Sequence, residues 1–455
     1  MRRKGVCNHG EARAVTDDNS YDFIAVGLGP CNLGLACLAA PLPGIKALFL
    51  ERKPAFGWHP GMLLDGTTLQ NPFLADLVSM ADPTSRFSYL NYCKQQGRLY
   101  TYYIRENWYL GRQEFDRYCK WAAAQLPTVR FEHEVRRLDY DEARRLYRVS
   151  GIAGSAREPF DVWARKLVIG IGSVPHVPDC CARVEGQGLT HTSRYLEDKP
   201  ALLRSRSITV LGSGQSGAEV YYDLLRESER YGFRLNWVTR APRFFQMENA
   251  KLTLELISPD YGDYFYGLDP RVKADILEDQ RSIYNGINPS LIEQIFAELD
   301  ERRHRNAPRT QLLTNLALES CEAVAGAGRW QLTFAHTQTG QRYRHVTEGL
   351  VLATGYRYRI PDFIDGIRER IRCGADGGYE PARDWAVDHE NREIFVQNAG
   401  LLSHGLINPD LGLACHRNAH LLRALTGVDH YPSEPRTTFQ DFQPPAGSDF
   451  VALAR

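Results

Sequence analysis

No Cys-x-x-Cys pair occurs in the chain, and its ten cysteines fall at irregular spacings. A zinc ribbon or a thioredoxin-type redox pair is thereby excluded, and a disulfide scaffold does not suit 455 residues. Long apolar runs are also missing. None reaches the ~18 residues that a membrane-spanning helix needs. The basic start, MRRKGVCNHGEARAVTDDNS, has no apolar stretch behind it and is not a secretory signal. Residues 1–20 are expected to be a disordered leader, and the protein to be soluble and cytoplasmic. Net charge is absent too. The 55 Lys and Arg balance 55 Asp and Glu, which argues against bulk nucleic-acid binding or a polybasic membrane surface. No solenoid-type repeat or low-complexity segment interrupts the chain.

What is present is ordinary globular composition, 43% apolar and 24% charged, with length for two to four domains. The first strong element is YDFIAVGLGPCNLGLACLAA. Phe23–Val26 reads as a buried parallel strand, residues 32–40 as a helix, and Ala47–Leu50 as a second strand ending in Glu51. Gly27 and Gly29 sit at the strand-to-helix turn. Glycine there lets backbone approach a pyrophosphate, which a helix N-terminus favours electrostatically. Asn32 replaces the third glycine of the usual fingerprint, and Gly34 follows two residues on. Glu51 lies 22 residues after Gly29, where a carboxylate can accept hydrogen bonds from a ribose.

The same grammar returns at Ser207. Residues 208–211 read as a strand, Gly212-x-Gly214-x-x-Gly217 as a complete fingerprint, 216–225 as a helix and 235–239 as the next strand. That strand ends at Arg240, with Arg243 nearby and no acid at the ribose position. A 2′-phosphate prefers a cation, so NADP is favoured over NAD. Two such sites in one chain suggest a flavoprotein, with FAD in the first and NADPH in the second. A disulfide reductase fits poorly: Cys31 and Cys37 are six apart on a helix and Cys180-Cys181 is vicinal. The fold class expected is α/β, with two Rossmann-like dinucleotide-binding domains and a small substrate-binding region. The boundaries expected are 21–200 and 346–430 for the FAD domain and 201–345 for the NADPH domain with a helical insertion. Residues 431–455 form a C-terminal tail.

Several motifs carry a family resemblance: GLGPCNLGLA (27–36), WHPGMLL (58–64), LQNPFLADLVSMADPTSRFSYLNY (69–92), GRQEFDRYCKWAA (111–123), GSGQSGAE (212–219), LATGY (352–356) and HGLINPDLGL (404–413). With them the chain, from Tyr21 to about Leu425, resembles the flavin-dependent N-hydroxylating monooxygenases of hydroxamate siderophore synthesis. The resemblance implies that Gly27, Gly29, Pro30, Asn32, Glu51, Trp58, His59, Leu69, Gln70 and Arg112 hold FAD, with Gln70 near the reactive edge of the ring. It implies that Gly212, Gly214, Gln215, Ser216 and Arg240 hold NADPH, and that Thr354 and Gly355 close one domain on the other. The reaction implied starts with flavin reduction by NADPH. O₂ then adds at the flavin C4a carbon, and a neutral primary amine takes the distal oxygen. Gln70 and Asn285 are the catalytic candidates. A homo-oligomer, dimer or tetramer, and a separate acylating enzyme are also implied.

One departure bears on the substrate. In the ornithine and lysine enzymes an FLKDL segment supplies a lysine for the substrate α-carboxylate; here Phe73-Leu74-Ala75-Asp76-Leu77 has no cation. A carboxylate left unpaired in a closed site would cost several kcal/mol, whereas a diamine would lose nothing. The expected substrate is therefore a primary diamine, putrescine ahead of cadaverine, with L-lysine N6-hydroxylation and a plain NADPH oxidase or reductase as alternatives. The remaining substrate candidates are Asn249, Leu254, Asn285 and Gly412. Tyr100, Tyr102, Tyr103, Trp108 and Tyr109 are expected to be core packing with some pocket lining, one ring being able to cap an ammonium. ERRHR (301–305) reads as a solvated helix face. His416 and His420 have helical i,i+4 spacing, but no third ligand is evident and no metal site is expected.

Overall fold

The computed structural model describes residues 19–182, 188–305, 307–326, 328–374, 377–389, 392–445, 447–451 and 453. The expected leader lies almost wholly outside them. The N-terminal apolar run forms the strand Tyr21–Val26, buried over its last four residues. It pairs in parallel with Ala47–Leu50 on one side and with the long strand Glu158–Ile169 on the other. The register places Val26 opposite both Leu50 and Ile169, so three strand ends meet at one turn. Ile394–Val396 adds a further parallel strand to the C-terminal half of Glu158–Ile169. The N-terminal half of that strand pairs antiparallel with Leu146–Ala153, which pairs with His133–Asp141. Apolar side chains cover both faces of the parallel part, as a sheet flanked by helices requires.

The second sheet is parallel throughout, in the order Leu189–His191, Gly349–Leu352, Ser207–Leu211, Arg234–Val238 and Thr310–Leu313. A three-stranded antiparallel sheet, Leu316–Val324, Arg329–His336 and Arg342–Thr347, flanks it. The chain crosses between the two units twice. The first crossing contains the strand Val174–Pro175, which pairs with the return crossing Tyr356–Arg357.

Two features were not legible beforehand. The helix Pro259–Tyr266, part of the insertion after Arg234–Val238, reaches back to residues of the first unit. A Cβ on Gly262 would stand 2.2 Å from Ile407 Cδ1, and the Tyr266 ring lies 5.1 Å from that of His404. Residues 437–442 then strap this insertion. The Thr437 N–H donates to Asp260 at 2.7 Å, the Phe439 and Gln440 N–H groups donate to Glu255 at 3.0 Å, and Phe442 packs on Tyr261 at 4.8 Å.

Candidate active site

At the first glycine turn Gly27 has φ +89°, and a Cβ there would stand 2.5 Å from the Gly170 carbonyl oxygen. Only glycine suits that position. Gly29 has open space where its Cβ would be, and it starts the helix Pro30–Ala39 with no side-chain cap. Uncapped N–H groups thus face the opening, an anion-binding arrangement. Asn32 does not merely replace the third glycine. Its Nδ2 donates to the Gly27 carbonyl at 2.7 Å, and the helix approaches the sheet through Gly170, where a Cβ would meet that same nitrogen at 2.3 Å. The small residue has moved to the neighbouring strand. Asn32 Oδ1 is buried with no partner. Glu51, buried, accepts from the Leu28 N–H at 2.8 Å and the Lys53 N–H at 3.0 Å, closing the turn.

Behind the turn lies Arg417, which sequence reasoning missed. It is 1% exposed, and its guanidinium donates to Gln397 Oε1 at 2.6 Å, the Asn408 carbonyl at 2.7 Å and Cys31 Sγ at 3.2 Å. Among the described residues no carboxylate pairs with it. This buried cation therefore adds positive potential at the first turn of Pro30–Ala39.

The second turn obeys the fingerprint. Gly212 has φ +119°, with the Ala353 carbonyl 2.2 Å from its would-be Cβ, and Gly217 is as tightly held by the Gly212 carbonyl at 2.3 Å. Gly214 starts the helix Gln215–Tyr231 without a side-chain cap, and Ser216 lies in its first turn. Asn285 is brought here: its carbonyl oxygen is 3.8 Å from the Cβ position of Gly214. Arg240 and Arg243 are both exposed, and neither joins an ion pair among the described residues. Arg243 lies over the Phe245 ring at 4.5 Å.

A polar chain joins the helix Arg112–Ala123 to the helix Gln215–Tyr231 that follows the second turn. Arg112 makes a bidentate pair with Glu219, both contacts 2.7 Å, and also donates to the Met62 carbonyl at 2.9 Å. Gln215 donates to Glu219 at 2.8 Å and accepts from the Asn288 N–H at 2.8 Å. Next to this chain, Tyr356 packs between the rings of His59 and His191, at 5.5 and 5.3 Å. The Thr354 hydroxyl donates to the His176 carbonyl, and Gly355 takes φ +80°. His59 is left-handed, φ 46°, and burial, with Arg112 and Lys53 nearby, lowers its pKa to about 4. The imidazole is therefore neutral at neutral pH. Trp58 rests on Phe115 at 5.1 Å, and its N–H donates to Asp116 at 3.1 Å.

The strand Thr68–Pro72 carries Leu69, buried, and Gln70, whose Nε2 is buried without a partner. One residue on, Asn71 Nδ2 donates to both carboxylate oxygens of Asp410 at 3.1 Å. The Gly412 N–H donates to Asp410 Oδ1 at 2.7 Å. A Cβ on Gly412 would stand 3.4 Å from the Ala75 Cβ, which is buried. So Ala75 and Gly412, proposed from sequence, do meet, and Asn71 and Asp410 complete their cluster. Burial pushes the Asp410 carboxyl up from the ordinary range. Asp76 holds the loop that follows: it accepts from the N–H groups of Val78, Ser79 and Tyr89 at 2.6 to 2.8 Å. Asn249 and Leu254 are exposed, and no hydrogen bond ties either to this cluster.

Two expectations need correction. Of the aromatic group only Tyr102 is buried: the six-residue helix Leu99–Ile104 has room for one inward face, which leaves Tyr100 and Tyr103 exposed, and Trp108 and Tyr109, beyond the helix, are exposed as well. Trp108 alone of these four reaches Phe73, at 5.7 Å. Tyr102 packs on Phe73 at 5.7 Å, and Tyr89, which the sequence reading left out, lies 6.5 Å from the same ring. In ERRHR, Arg302 is 7% exposed rather than solvated, because it donates to the Leu225 carbonyl and Ser228 Oγ of the neighbouring helix.

Comparison with known proteins adds the following. A sequence model of the L-lysine 6-monooxygenase/L-ornithine 5-monooxygenase family matches residues 19–358. An alcaligin biosynthesis enzyme of Bordetella pertussis is 53% identical over 94% of this chain and 92% of its own. A putrescine N-hydroxylase of Shewanella oneidensis is 44% identical over 94% of this chain and 85% of its own. The FAD-bound crystal structure of the cadaverine monooxygenase of the desferrioxamine pathway of Erwinia amylovora is 43% identical. It superposes with a TM-score of 0.91 over 95% of this chain and 100% of that one.

Proposed function

The chain belongs to the L-lysine 6-monooxygenase/L-ornithine 5-monooxygenase family, and from that premise we propose an FAD- and NADPH-dependent diamine N-hydroxylase serving hydroxamate siderophore synthesis. The observation that carries the substrate class is the Ala75–Gly412 wall. It presents a methyl group and a hydrogen, and no Lys or Arg, beside the strand that bears Gln70. A substrate α-carboxylate would have no counter-charge there and would lose several kcal/mol. A diamine carries no carboxylate. The named activities of the Shewanella and Erwinia relatives, on putrescine and cadaverine, support the same class.

The residues fit both nucleotides. The first turn offers an uncapped helix N-terminus, the space beside Gly29, the Glu51 carboxylate and the buried Arg417 cation, which together suit a pyrophosphate and a ribose. Trp58, His59, Leu69 and Gln70 would line the flavin ring, and the unpartnered Gln70 Nε2 is a donor waiting for an acceptor. The second turn, with Ser216 and the unpaired Arg240, would hold NADPH, the cation meeting the 2′-phosphate. The flavin supplies the two-electron chemistry that lets O₂ deliver one oxygen atom to an amine.

The protein's own task is to hold and dry the reactants. An alkylamine attacks only when neutral, and its unperturbed pKa is ~10.4. Burial beside Leu69 and Ala75 disfavours the ammonium form and so supplies the nucleophile. Neutral His59 adds no charge near the ring. The Arg112–Glu219–Gln215 chain fixes the helix Gln215–Tyr231, which would hold NADPH, against the helix Arg112–Ala123 on the flavin side.

The test is hydroxylamine formation coupled to NADPH oxidation, with FAD added, over putrescine, cadaverine, lysine and ornithine. Hydroxylated diamine with little amino-acid product is expected. Preference for lysine would sink the carboxylate argument. NADPH loss to peroxide alone with every amine would make the chain an oxidase.

A further inference from the structure

We propose that Asp410 is the anchor for the second, unreacting ammonium of the substrate. This rests on the reading that the strand Thr68–Pro72 and the Ala75–Gly412 wall line the reacting site. Asp410 comes from a loop 339 residues away in sequence from Asn71, yet it stands directly against that strand. Its Oδ1 accepts from both the Gly412 N–H and Asn71 and its Oδ2 from Asn71, and the Leu413 N–H also lies against the carboxylate. Oδ2, with one direct hydrogen bond against two on Oδ1, is the oxygen better placed to accept a further donor. Among the described residues no Lys, Arg or His nitrogen lies within 4.0 Å of the carboxylate. Burial raises the pKa of this carboxyl against the opposing pull of its hydrogen bonds and of the more distant Arg417 charge, and no cation touches it directly.

The two neighbours that could shield the carboxylate are the smallest available. Ala75 contributes one methyl group and Gly412 no side chain, their facing positions 3.4 Å apart. A Cβ on Gly412 would stand 3.0 Å from Asp410 Oδ1, so any larger residue there would crowd the acid and cover it from a ligand cation. An ammonium has three donors and no acceptor, the complement of Oδ2. The same negative charge repels any ligand that ends in a carboxylate. Asp410 thus acts as a specificity residue: it touches the substrate at the end remote from the chemistry, and it reverses the sign of charge that an amino-acid substrate would need.

The prediction needs no mutation for its first arm. The wild-type enzyme, with FAD and NADPH, is compared on 1,4-diaminobutane against butylamine and on 1,5-diaminopentane against pentylamine. A kcat/KM preference for the diamine of about 10- to 100-fold is expected for one charge-assisted contact. In the second arm, Asp410→Asn raises KM for the diamine by a similar factor and brings the diamine-to-monoamine ratio close to one. It leaves kcat within a few-fold, and Asp410→Glu restores part of the preference. FAD content and amine-independent NADPH oxidation report the folding of each variant. A wild-type enzyme that hydroxylates monoamine and diamine equally well, or an Asp410→Asn enzyme that keeps the full preference, would overturn the proposal. A wild-type enzyme that hydroxylates no amine would instead overturn the function on which it rests.

Discussion

The pair Arg112–Glu219 ties the two nucleotide-binding units together, and its removal is open to calculation. The side chains are 12% and 2% exposed, and both Nη–Oε contacts are 2.7 Å. At an effective dielectric constant of ~20, two unit charges at that distance attract by about 6 kcal/mol. Desolvation offsets much of this, so the intact pair contributes little net stability. Removing one partner is different, because it leaves the other charge buried alone. That costs about 3–5 kcal/mol. Arg112→Met also frees the Met62 carbonyl, worth about 1 kcal/mol, and Glu219→Met frees Gln215 Nε2. The double variant leaves no buried charge and should be more stable than either single one. Urea unfolding of the three variants, followed by tryptophan fluorescence and by circular dichroism, gives the cycle. A coupling energy of at least ~2 kcal/mol is expected. Losses that add to within ~0.5 kcal/mol, the range found for independent sites, would refute the reasoning.

Other outcomes follow from the same geometry. Gly27→Ala places a Cβ 2.5 Å from a carbonyl oxygen at φ +89° and should lower stability by at least ~2 kcal/mol, whereas Gly29→Ala, with nothing within 4 Å, should leave the melting temperature of the flavin-free chain intact and weaken FAD binding. Fluorescence titration with FAD separates the two. Ala75→Lys puts an ammonium beside Asp410 and should raise KM for a diamine at least ~10-fold in steady-state assays. Burial holds His59 and His404 near a pKa of about 4 and His416 near about 3. The unfolded value is ~6.5, so the unfolded chain binds more protons below it, and stability present above pH ~6.5 is lost as pH falls toward 4. His416→Gln should flatten that acid limb in urea midpoints taken from pH 7 to 4.5. An unchanged limb would remove His416 from the account.

Both glycine turns were legible because a turn's chemistry is local: the strand, the two glycines and the helix start lie within a dozen residues, and backbone sterics leave few alternatives. Glu51 was legible for the related reason that parallel register puts the end of the second strand beside the first turn. Ala75 stood out by what was missing from it. Asn71, Asp410 and Arg417 were each in view inside a quoted or adjoining motif, but their meaning comes from contacts across more than 300 residues, which no spacing encodes. The exposed aromatics failed for a converse reason. Ring content predicts burial on average, yet a helix of six residues can bury only one face. Arg302 shows the same limit, since a charge run says nothing of the one member that turns inward.

The strap of residues 437–442 has a bearing on how the molecule is made. Its hydrogen-bond partners, Glu255 and Asp260, leave the ribosome some 180 residues ahead of it. The strand Ile394–Val396 and the helix Ala414–Thr426, which complete the first sheet and its covering layer, are late as well. Folding that proceeds from the N-terminus during synthesis therefore cannot finish the first unit, or the strapped insertion of the second, until these segments have been made. The early strands must wait, part-formed and with apolar edges uncovered, until the last segments arrive. Completion of the first unit is in effect a late event, after every strand of the second has been made.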